Sequence, residues 1–381
     1  MTNRSGKPAK VVFVWENLGP SHIDRLEALN DRFPDQVFAV QLSASSHTYK
    51  WDGTSGQAVP TTTLFDQPED ATGLACMTAL VGAVRKLGAT DVYLCHYQLW
   101  PMLMSAMILR LLGKRVVVMI DSKFDDYPRR LWHEVGKSAF LWPYNAALTA
   151  SLRSRDYLRF LGFRKRQIEL GYDTLSVARI RGQSASLPAP GGALHSDRDF
   201  LIIARLEEKK NIGSALEAYS LWQARGGTGR VLRILGSGAL EDELRDKSVA
   251  LGIGDAVIFE GFVQTERVSE ALSNALCLIL PSTEEQFGLV VIEAMAMGVP
   301  ALVSSNAGAV DVMIDNGVNG WVINPRSPAA LAAAMTSLSD DESCWKTMAS
   351  AAQTDSLRGD ANHFVTAVAK LSGLGQAPSD E

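Results

Sequence analysis

Two glutamates in the stretch STEEQFGLVVIEAMAMGVP, Ser282 to Pro300, could do chemistry: Glu285 and Glu293 have seven residues between them. The preceding run LCLIL predicts a buried strand, and LVVIEAMAMG predicts a helix that ends at Gly298 and Pro300. Glu285 would then lie in the loop at the carboxyl end of the strand, and Glu293 about one turn inside the helix. A carboxylate offers two oxygens at fixed spacing, which suits it to accept hydrogen bonds from neighbouring sugar hydroxyls.

The start of the same helix could bind an anion. Its first N–H groups have no partner inside the helix and carry partial positive charge. Phe287, Gly288 and Leu289 would supply these amides, and a glycine allows close approach of a ligand. In the structural alternative, Glu285 caps the helix after Ser282 and Glu293 pairs with a basic residue. The residue types alone leave both alternatives open.

The composition excludes several classes of protein. A chain of 381 residues with a formal net charge of −5 is long enough for two domains and is not basic, so we expect no nucleic-acid partner. The longest apolar run, LWPMLMSAMILRLLG, is shorter than a membrane span of ~20 residues. Four scattered cysteines without CxxC spacing predict free thiols, and the polar start MTNRSGKPAK is unlike a signal peptide. We therefore expect a cytoplasmic protein.

Strands and helices alternate in two blocks. Short runs that are apolar on both faces, such as KVVFVW and FLIIAR, predict an α/β fold with parallel sheets covered by helices on both sides. The Gly-, Pro- and Ser-rich segment 181–199 has linker composition. It separates an amino-terminal domain at 1–180 from a carboxy-terminal domain at 200–355, with a helix and polar tail at 356–381. Two Rossmann-like domains facing across a central cleft would bind ligands at the carboxyl ends of their strands.

The stretch EEQFGLVVIEAMAMGVPALVS resembles the Glu-x7-Glu motif of family 4 glycosyltransferases, which are retaining enzymes of the GT-B fold. Glu285 and Glu293 occupy the two Glu positions, and the surrounding Phe-Gly-Leu, Glu-Ala-Met-Ala and Gly-x-Pro groups also match. The resemblance implies that Glu285 lies beside the transferred sugar and that Glu293 binds the ribose of the nucleotide. Phe287, Gly288 and Leu289 would contact the donor.

Further segments extend the resemblance from Phe200 to about Leu331. ARLEEKKNIGSALEA is similar to the family's Arg-Leu…Lys segment, and its Arg205 and Lys210 would neutralise the departing diphosphate. Gly236, in a Gly-x-Gly loop, would pack near the base or phosphates, and Gly261 beside the nucleobase. The alternative is that Arg205 and Lys210 are ordinary surface charges. No His, Cys or carboxylate cluster has metal-ligand spacing, so we expect neither a metal nor a cofactor.

The loop after the first strand matches the family less closely. ENLGPSH would touch the donor phosphate and the acceptor, but it has a single glycine, Gly19. We expect Ser21 and Asp24 to form a capping box for the following helix. His22, in the first turn of that helix, is the histidine that we expect near the acceptor or phosphate. A lone histidine is more often structural or solvated.

Two residues at the ends of other strands are further candidates. Asp121 stands where many family members have a histidine near the donor sugar. It could accept a hydrogen bond from a sugar or acceptor hydroxyl, or it could cap its own loop. His96 ends the strand DVYLCH, and the same two alternatives apply to it as to His22.

The segment from Arg153 to Arg166 is basic and partly amphipathic. Such a segment can dock on anionic lipid, but it is more often a solvated helix face over a domain core. We favour the solvated helix. Peripheral contact with the inner surface of the membrane stays an alternative.

The resemblance implies a retaining, metal-independent hexosyl- or glycosyltransferase. It would move a sugar from a UDP- or GDP-sugar to a hydroxyl of a glycan or lipid-linked acceptor, in envelope or exopolysaccharide synthesis. One alternative is a catalytically silent nucleotide-sugar-binding partner of a polysaccharide complex, which would bind the donor without consuming it. Another is a GT-B epimerase, which needs no acceptor, or a phosphorylase, which uses phosphate instead of a nucleotide.

Overall fold

A computed structural model of the chain describes residues 9–45, 59–127 and 129–375. These residues form two compact units. The first comprises 9–45, 59–124, 129–176 and 361–375, and the second comprises 125–127 and 177–360. The polar start of the sequence, residues 1–8, and the predicted polar tail, residues 376–381, lie outside the described residues.

The sheet of the first unit has seven strands in its described part: β1 (Val11–Trp15), β2 (Val37–Ser43), β3 (Thr61–Phe65), β4 (Asp91–Leu94), β5 (Arg115–Ile120), β6 (Ala146–Thr149) and β7 (Ile168–Leu170). All neighbours are parallel, in the order β3-β2-β1-β4-β5-β6-β7. β1 is buried along its whole length. Val12 and Val14 point into one hydrophobic core, and Phe13 and Trp15 point into a second core on the other face of the sheet.

Five helices of the first unit connect these strands: α1 (Pro20–Arg32), α2 (Gly73–Leu87), α3 (Trp100–Leu111), α4 (Leu131–Leu141) and α5 (Leu152–Phe160). The predicted capping box of Ser21 and Asp24 was wrong. α1 begins at Pro20, because a proline at the first helical position needs no N–H partner, and Gly19 is the N-cap. The N–H of Gly19 donates to Nδ1 of His22 at 2.9 Å, and Asp24 instead accepts from the N–H of Ser176 at 2.9 Å.

The second unit contains a sheet of six described strands: β8 (Asp199–Ile203), β9 (Leu232–Leu235), β10 (Val257–Gly261), β11 (Ala275–Leu280), β12 (Ala301–Ser304) and β13 (Gly320–Ile323). Its helices are α6 (Val177–Gly182), α7 (Ile212–Ala224), α8 (Glu241–Ala250), α9 (Thr265–Ser273), α10 (Val290–Ala296), α11 (Val310–Met313), α12 (Pro328–Asp340) and α13 (Glu342–Asp355). The strands are parallel in the order β10-β9-β8-β11-β12-β13, so the chain reverses its direction across the sheet between β8 and β11. The predicted α/β fold with two Rossmann-like parallel sheets is confirmed.

The last helix, α14 (Ala361–Ser372), packs in the first unit. The ring of Phe364 lies 5.2 Å from that of Phe13, and the hydroxyls of Tyr93 and Ser372 are 2.7 Å apart. The segment 181–199 packs with the second unit: the N–H of Ala189 donates to the carbonyl of Met297 at 2.8 Å. Composition marks this segment as a linker, whereas its contacts assign it to one unit.

Candidate functional site

Three loops of the second unit leave the carboxyl edge of its sheet. The loop after β8 carries Arg205 and Lys210, the loop after β11 carries Glu285, and the loop after β12 begins at Ser305. β8 and β11 are neighbours at the point where the strand order reverses, which is where open parallel sheets bind ligands. The fold therefore brings the three predicted catalytic residues to one edge from separate parts of the chain.

Lys210 and Glu285 are in direct contact. The Lys210 Nζ is 2.7 Å from Oε2 of Glu285, and the side chains are only 15% and 12% exposed. The hydroxyl of Ser282 donates to the same Oε2 at 3.0 Å. Glu285 also pairs with Ala307 in an isolated parallel bridge, which fixes its backbone. A carboxylate held by two donors in a half-buried setting keeps one orientation, as a group that positions a ligand must.

Hydrogen bonds between the loops hold this pair in place. The N–H of Thr283 donates to the carbonyl of Lys209 at 2.9 Å. Asn211 donates its side-chain amide to the carbonyls of Pro281 at 3.0 Å and Pro325 at 2.8 Å. Asn306 donates to the carbonyl of Thr283 at 2.7 Å. Asn211 adopts a φ of 54°, in the left-handed region that Asn tolerates better than most residues. Asn211 was not among the predicted site residues. An Asn directly before a helix indicates an N-cap, whereas the side chain of Asn211 makes no cap hydrogen bond and joins the loops instead.

Arg205 makes a different contact. Its Nη1 lies 2.7 Å from Oε1 of Glu207, and Lys209 lies 3.5 Å from the other oxygen of that carboxylate. Both Arg205 and Glu207 are more than a third exposed. A surface ion pair of this kind contributes little to stability, so it can exchange for a contact with an anionic ligand at small cost. The action of Arg205 on a diphosphate stays a prediction.

Glycines let the loop after β9 touch the loop after β8. Gly236 has a φ of 138°, and a Cβ placed on it would lie 1.9 Å from the carbonyl oxygen of Ala204. A Cβ on Gly238 would lie 2.4 Å from the carbonyl oxygen of Leu206. The N–H of Gly236 donates to the carbonyl of Gly261 at 2.7 Å. These contacts explain the glycines by packing, and their predicted roles at the base or phosphates stay predictions.

The predicted amide site lies in the three residues before α10. Gly288 has a φ of 102°, and a Cβ there would meet Leu280 Cδ2 at 2.8 Å and Glu285 Cγ at 3.5 Å, so the glycine lets the backbone pass beside Glu285. Phe287 is buried in the core. Leu289 already has helical angles, and Glu293 lies in the first turn of α10. The buried side chain of Phe287 is therefore not available to a ligand, and the binding of an anion by the amides of Phe287, Gly288 and Leu289 stays a prediction.

The carboxyl edge of the first sheet carries a second group of polar residues. Glu16 follows β1, His96 follows β4 and Asp121 follows β5, and these three strands are neighbours. His22, in the first turn of α1, lies with its ring 4.7 Å from the ring of Trp15 at the end of β1. The fold thus brings His22, His96 and Asp121 to one edge. Glu16 was missed, because only the strand order shows that it joins them.

The two histidines titrate in opposite directions. Burial lowers the pKa of His22 well below its usual value, and the charges of Arg25 and His96 lower it further. The pKa of His96 is raised to about 9 by Cys95 and then by the carboxylates of Glu16 and Asp121, against the opposing effect of burial. These directions favour a neutral ring at His22 and a charged ring at His96. Since Nδ1 of His22 accepts from Gly19, the proton of the neutral ring lies on Nε2.

A buried arginine lies near His22. Arg25 places its guanidinium 5.1 Å from the centre of the Tyr172 ring, and its Nε donates to the carbonyl of Thr174 at 3.2 Å. Its Nη2 is 3.9 Å from a carboxylate oxygen of Asp173. Sequence reasoning did not single out this residue, because one arginine in an amphipathic helix is usually solvated. In the structure its charge lowers the pKa of His22.

The sequence predicts no metal site, no membrane-spanning helix and no disulfide. Among the described residues, no group of three or more His, Cys, Asp or Glu side chains is arranged to hold a metal ion. Metal independence itself stays a prediction. Within the described ranges, no helix is long and apolar enough to cross a membrane. The four cysteines are free thiols, as predicted.

Residues 186–355 match the family model described as glycosyl transferases group 1. The amylovoran biosynthesis glycosyltransferase AmsK of Erwinia amylovora is 33% identical over 156 residues, which is 39% of this chain and 38% of that protein. The alpha-D-kanosaminyltransferase of Streptomyces kanamyceticus is 28% identical over 269 residues, or 66% of this chain and 67% of that protein. For the first of these relatives, as for an uncharacterized glycosyltransferase of Methanocaldococcus jannaschii, the match spans little more than a third of the relative's length.

The structural likeness extends over nearly the whole chain. The structure of Anabaena Alr3699/HepE in complex with UDP superposes with a TM-score of 0.73 at 17% identity, covering 95% of this chain and 98% of that one. At this identity the likeness establishes the fold alone. The chain has the GT-B fold, as predicted.

Proposed function

We propose that the chain is a retaining glycosyltransferase that takes its sugar from a nucleotide-sugar donor, a UDP- or GDP-sugar. The observation that carries the proposal is the contact between Lys210 and Glu285 at the strand-order reversal of the second sheet. A cation beside a fixed carboxylate at this edge suits a ligand that combines a diphosphate with a sugar. The match of residues 186–355 to a glycosyltransferase family supports the same function.

In the proposed reaction, the bond between the anomeric carbon and the diphosphate breaks as the acceptor oxygen bonds to the same face of that carbon. The departing phosphate oxygen takes the proton of the acceptor hydroxyl, so no protein nucleophile is required. Lys210 and Arg205 stabilise the negative charge that develops on the diphosphate. Glu285 orients the sugar through its hydroxyls, and Glu293 holds the ribose.

Lys210 has a further role in this proposal. Before the donor binds, its charge is offset by Glu285 at 2.7 Å. When a diphosphate arrives, the ammonium can turn toward it while the hydroxyl of Ser282 still donates to Glu285. The carboxylate then keeps its orientation through the change, and the cation is already desolvated in part.

We assign the acceptor hydroxyl to the first unit, near Gly19, His22 and Asp121. Neutral His22 offers an Nε2–H donor, and charged His96 offers a cation beside Asp121. The acceptor is a hydroxyl of a glycan or of a lipid-linked sugar, in the synthesis of an envelope or exported polysaccharide. The relative AmsK, named for amylovoran biosynthesis, supports this class. Free thiols fit the proposed cytoplasmic location, with peripheral contact at the inner face of the membrane.

The first experiment is a thermal-shift series with UDP, GDP and ADP and their sugars, because a donor at about a hundred times its dissociation constant adds ~2.7 kcal/mol of stability. The neighbour HepE was crystallised with UDP and with UDP-glucose, so we expect the UDP series to respond. The responding donor is then incubated with glycan acceptors, and nuclear magnetic resonance follows the anomeric configuration of the product. An inverted product would exclude the retaining mechanism. Conversion of the donor without acceptor would indicate an epimerase, and binding without consumption would indicate the silent partner.

A further inference from the structure

Helix α4 of the first unit exposes its apolar side chains and buries a charged one. Leu131, Trp132 and Val135 are 63%, 67% and 68% exposed, whereas Glu134 is 2% exposed. Phe140, the last but one residue of α4, is also exposed. A surface helix ordinarily turns its apolar stripe to the core and its charges to water. α4 has the reverse arrangement.

Buried ionic contacts fix α4 in this orientation. Glu134 accepts from Lys137 at 3.0 Å, from Arg129 at 3.4 Å and from the hydroxyl of Tyr157. The guanidinium of Arg129 lies 4.4 Å from the centre of the Tyr157 ring, and its Nε donates to the carbonyl of Phe124 at 2.8 Å. Burial raises the pKa of Glu134, but the hydrogen bonds from Tyr157 and Lys137 outweigh this effect and hold the pKa below its usual value. Turning α4 over would leave these charges unpaired, which would cost several kcal/mol.

The exposed apolar surface extends beyond α4. Phe124 and Phe160, both exposed, meet edge to face with their ring centres 5.6 Å apart. At the other end of the helix, Trp142 is exposed, and the guanidinium carbon of Arg110 lies 5.0 Å from the centre of its ring. The α4 surface is defined by Phe124, Leu131, Trp132, Val135, Phe140, Trp142 and Phe160. These seven large exposed apolar side chains within residues 124–160 indicate an interaction site.

The part of the chain that carries most of the α4 surface is basic in composition. Residues 129–166 contain nine Lys and Arg against two Asp and Glu, although the whole chain carries a net charge of −5. Arg130 is exposed beside Leu131, and Arg159 is exposed beside Phe160. Our sequence analysis favoured a solvated face for the segment from Arg153 to Arg166. Its Tyr157, Leu158, Leu161 and Phe163 do pack in the core. The exposed apolar area next to these charges in sequence is that of the α4 surface.

We propose that the α4 surface docks on an anionic lipid bilayer. Tryptophan and phenylalanine place apolar area at the boundary of the acyl chains, and arginine side chains reach the phosphates of the headgroups. Neither contribution suffices for stable binding alone, and the first unit supplies both on one surface. The inference rests on the peripheral membrane contact of the proposed function and assigns it a surface. Because docking requires no nucleotide sugar, a failure to bind vesicles would leave the proposed transfer reaction standing.

The charge distribution disfavours a second copy of the chain as the occupant. In a two-fold dimer the same surface meets itself, so the cations of residues 129–166 would face an identical set. That arrangement repels, whereas an anionic bilayer attracts the exposed cations, which include Arg130 and Arg159 but not the buried Arg129. An acidic partner protein would also neutralise the charges. Binding of the purified chain to vesicles, with no other protein present, distinguishes lipid from such a partner.

Sedimentation of the purified full chain with vesicles tests the proposal. Phosphatidylcholine vesicles are compared with vesicles that also contain phosphatidylglycerol. We expect binding to the second kind only, weakened by added salt. The double variant Leu131→Ser/Val135→Ser removes apolar area, and we expect its partition coefficient to fall at least about tenfold. The variant Arg164→Glu/Lys165→Glu/Arg166→Glu should lose binding as well.

A matched control makes the same changes elsewhere. Leu357 and Val249 are 57% and 71% exposed in the second unit, so Leu357→Ser/Val249→Ser has equal chemistry and should bind like the wild type. Thermal melting checks that each variant is folded, and transfer to a soluble acceptor should be unchanged in Leu131→Ser/Val135→Ser. Three results would overturn the proposal: no binding of the wild type to anionic vesicles, equal binding of the two double variants, or a wild-type dimer that only Leu131→Ser/Val135→Ser makes monomeric.

Discussion

The carboxyl edges of the two sheets are built in different ways. In the second unit, loops from three neighbouring strands are joined by hydrogen bonds from Asn211, Thr283 and Asn306, and they hold a Lys210–Glu285 contact. In the first unit, the edge carries His22 and His96, whose pKa values move in opposite directions. One edge fixes charges by backbone contacts, and the other sets protonation states by burial and neighbouring charge.

This difference indicates a division of work. A fixed cation–carboxylate contact suits a substrate whose shape and charge are constant, such as a diphosphate with a sugar. Histidines of unlike protonation suit the recognition of hydroxyls, which both donate and accept. We therefore expect changes in the second edge to abolish turnover, and changes in the first edge to alter acceptor binding and pH dependence.

The largest effect is expected from the Lys210–Glu285 contact. Glu285→Gln keeps the shape and removes the charge, and Lys210→Met removes the cation. Each should lower kcat by about a hundredfold to a thousandfold, which is typical when a group that stabilises developing charge is lost. Initial rates of nucleotide release at saturating donor measure the change.

Lys209→Met is the matched control for Lys210→Met. Lys209 lies on the same loop and its side chain pairs with Glu207 at 3.5 Å, away from Glu285. We expect its kcat to stay within a few-fold of the wild type. A Lys210→Met variant that is as active as Lys209→Met, with an unchanged melting temperature, would remove the second edge from the proposed mechanism.

The next effect concerns two glycines of the second edge. In Gly236→Ala the new Cβ would meet the carbonyl of Ala204 at 1.9 Å, with φ at 138°, so the loops after β8 and β9 must separate. We expect a loss of about 3 kcal/mol in the free energy of unfolding from overpacking and backbone strain. Urea denaturation measures it.

Gly261→Ala provides the comparison. Gly261 has a φ of 75° but an added Cβ would meet nothing within 4 Å, so only the cost of the left-handed conformation remains. That cost is about 1 kcal/mol. Equal losses in the two variants would show that the contact between the loops does not hold this edge together.

A smaller effect is expected from Asn211, which links three loops. Asn211→Ala removes two hydrogen bonds to the carbonyls of Pro281 and Pro325 and places an alanine at a φ of 54°. We expect a loss of about 2 kcal/mol in stability and a fall in kcat, because Lys210 is the preceding residue. Asn211→Gly adopts the left-handed conformation without strain and loses only the hydrogen bonds. Its stability should therefore lie between those of the wild type and Asn211→Ala. An unaffected kcat in both variants would mean that Asn211 supports the fold without positioning Lys210.

Much of the second edge could be predicted from the sequence, because its signals are local. The run LCLIL fixes a buried strand, and the spacing of Glu285 and Glu293 then places one in the loop and the other in α10. The contact between Lys210 and Glu285 is a consequence of β8 and β11 being neighbours, which follows from the strand order of an open parallel sheet. Asn211 escaped notice because its partners are backbone carbonyls, which have no signature in the sequence.

The first unit was harder to predict because its features depend on contacts between distant segments. Glu16 joins His96 and Asp121 only through the order of β1, β4 and β5. The reversed orientation of α4 depends on Arg129 and Tyr157, which lie on either side of the helix in sequence. Periodicity shows that α4 has an apolar stripe, but only the buried partners of Glu134 decide which way that stripe faces.

The smallest effect is expected from His96, and its dependence on pH tests the first edge. The folded protein raises the pKa of His96 to about 9, so the group stabilises the fold fully below its unfolded pKa of about 6.5. This contribution is lost as pH rises through about 9. His96→Gln should therefore lower the free energy of unfolding by about 1 kcal/mol near pH 6, since the residue is partly exposed, and by almost nothing near pH 10. Urea denaturation at both pH values measures the difference, with the exposed His133→Gln as the control. A loss that is equal at both pH values would mean that His96 is held by packing, and that Cys95, Glu16 and Asp121 do not set its protonation.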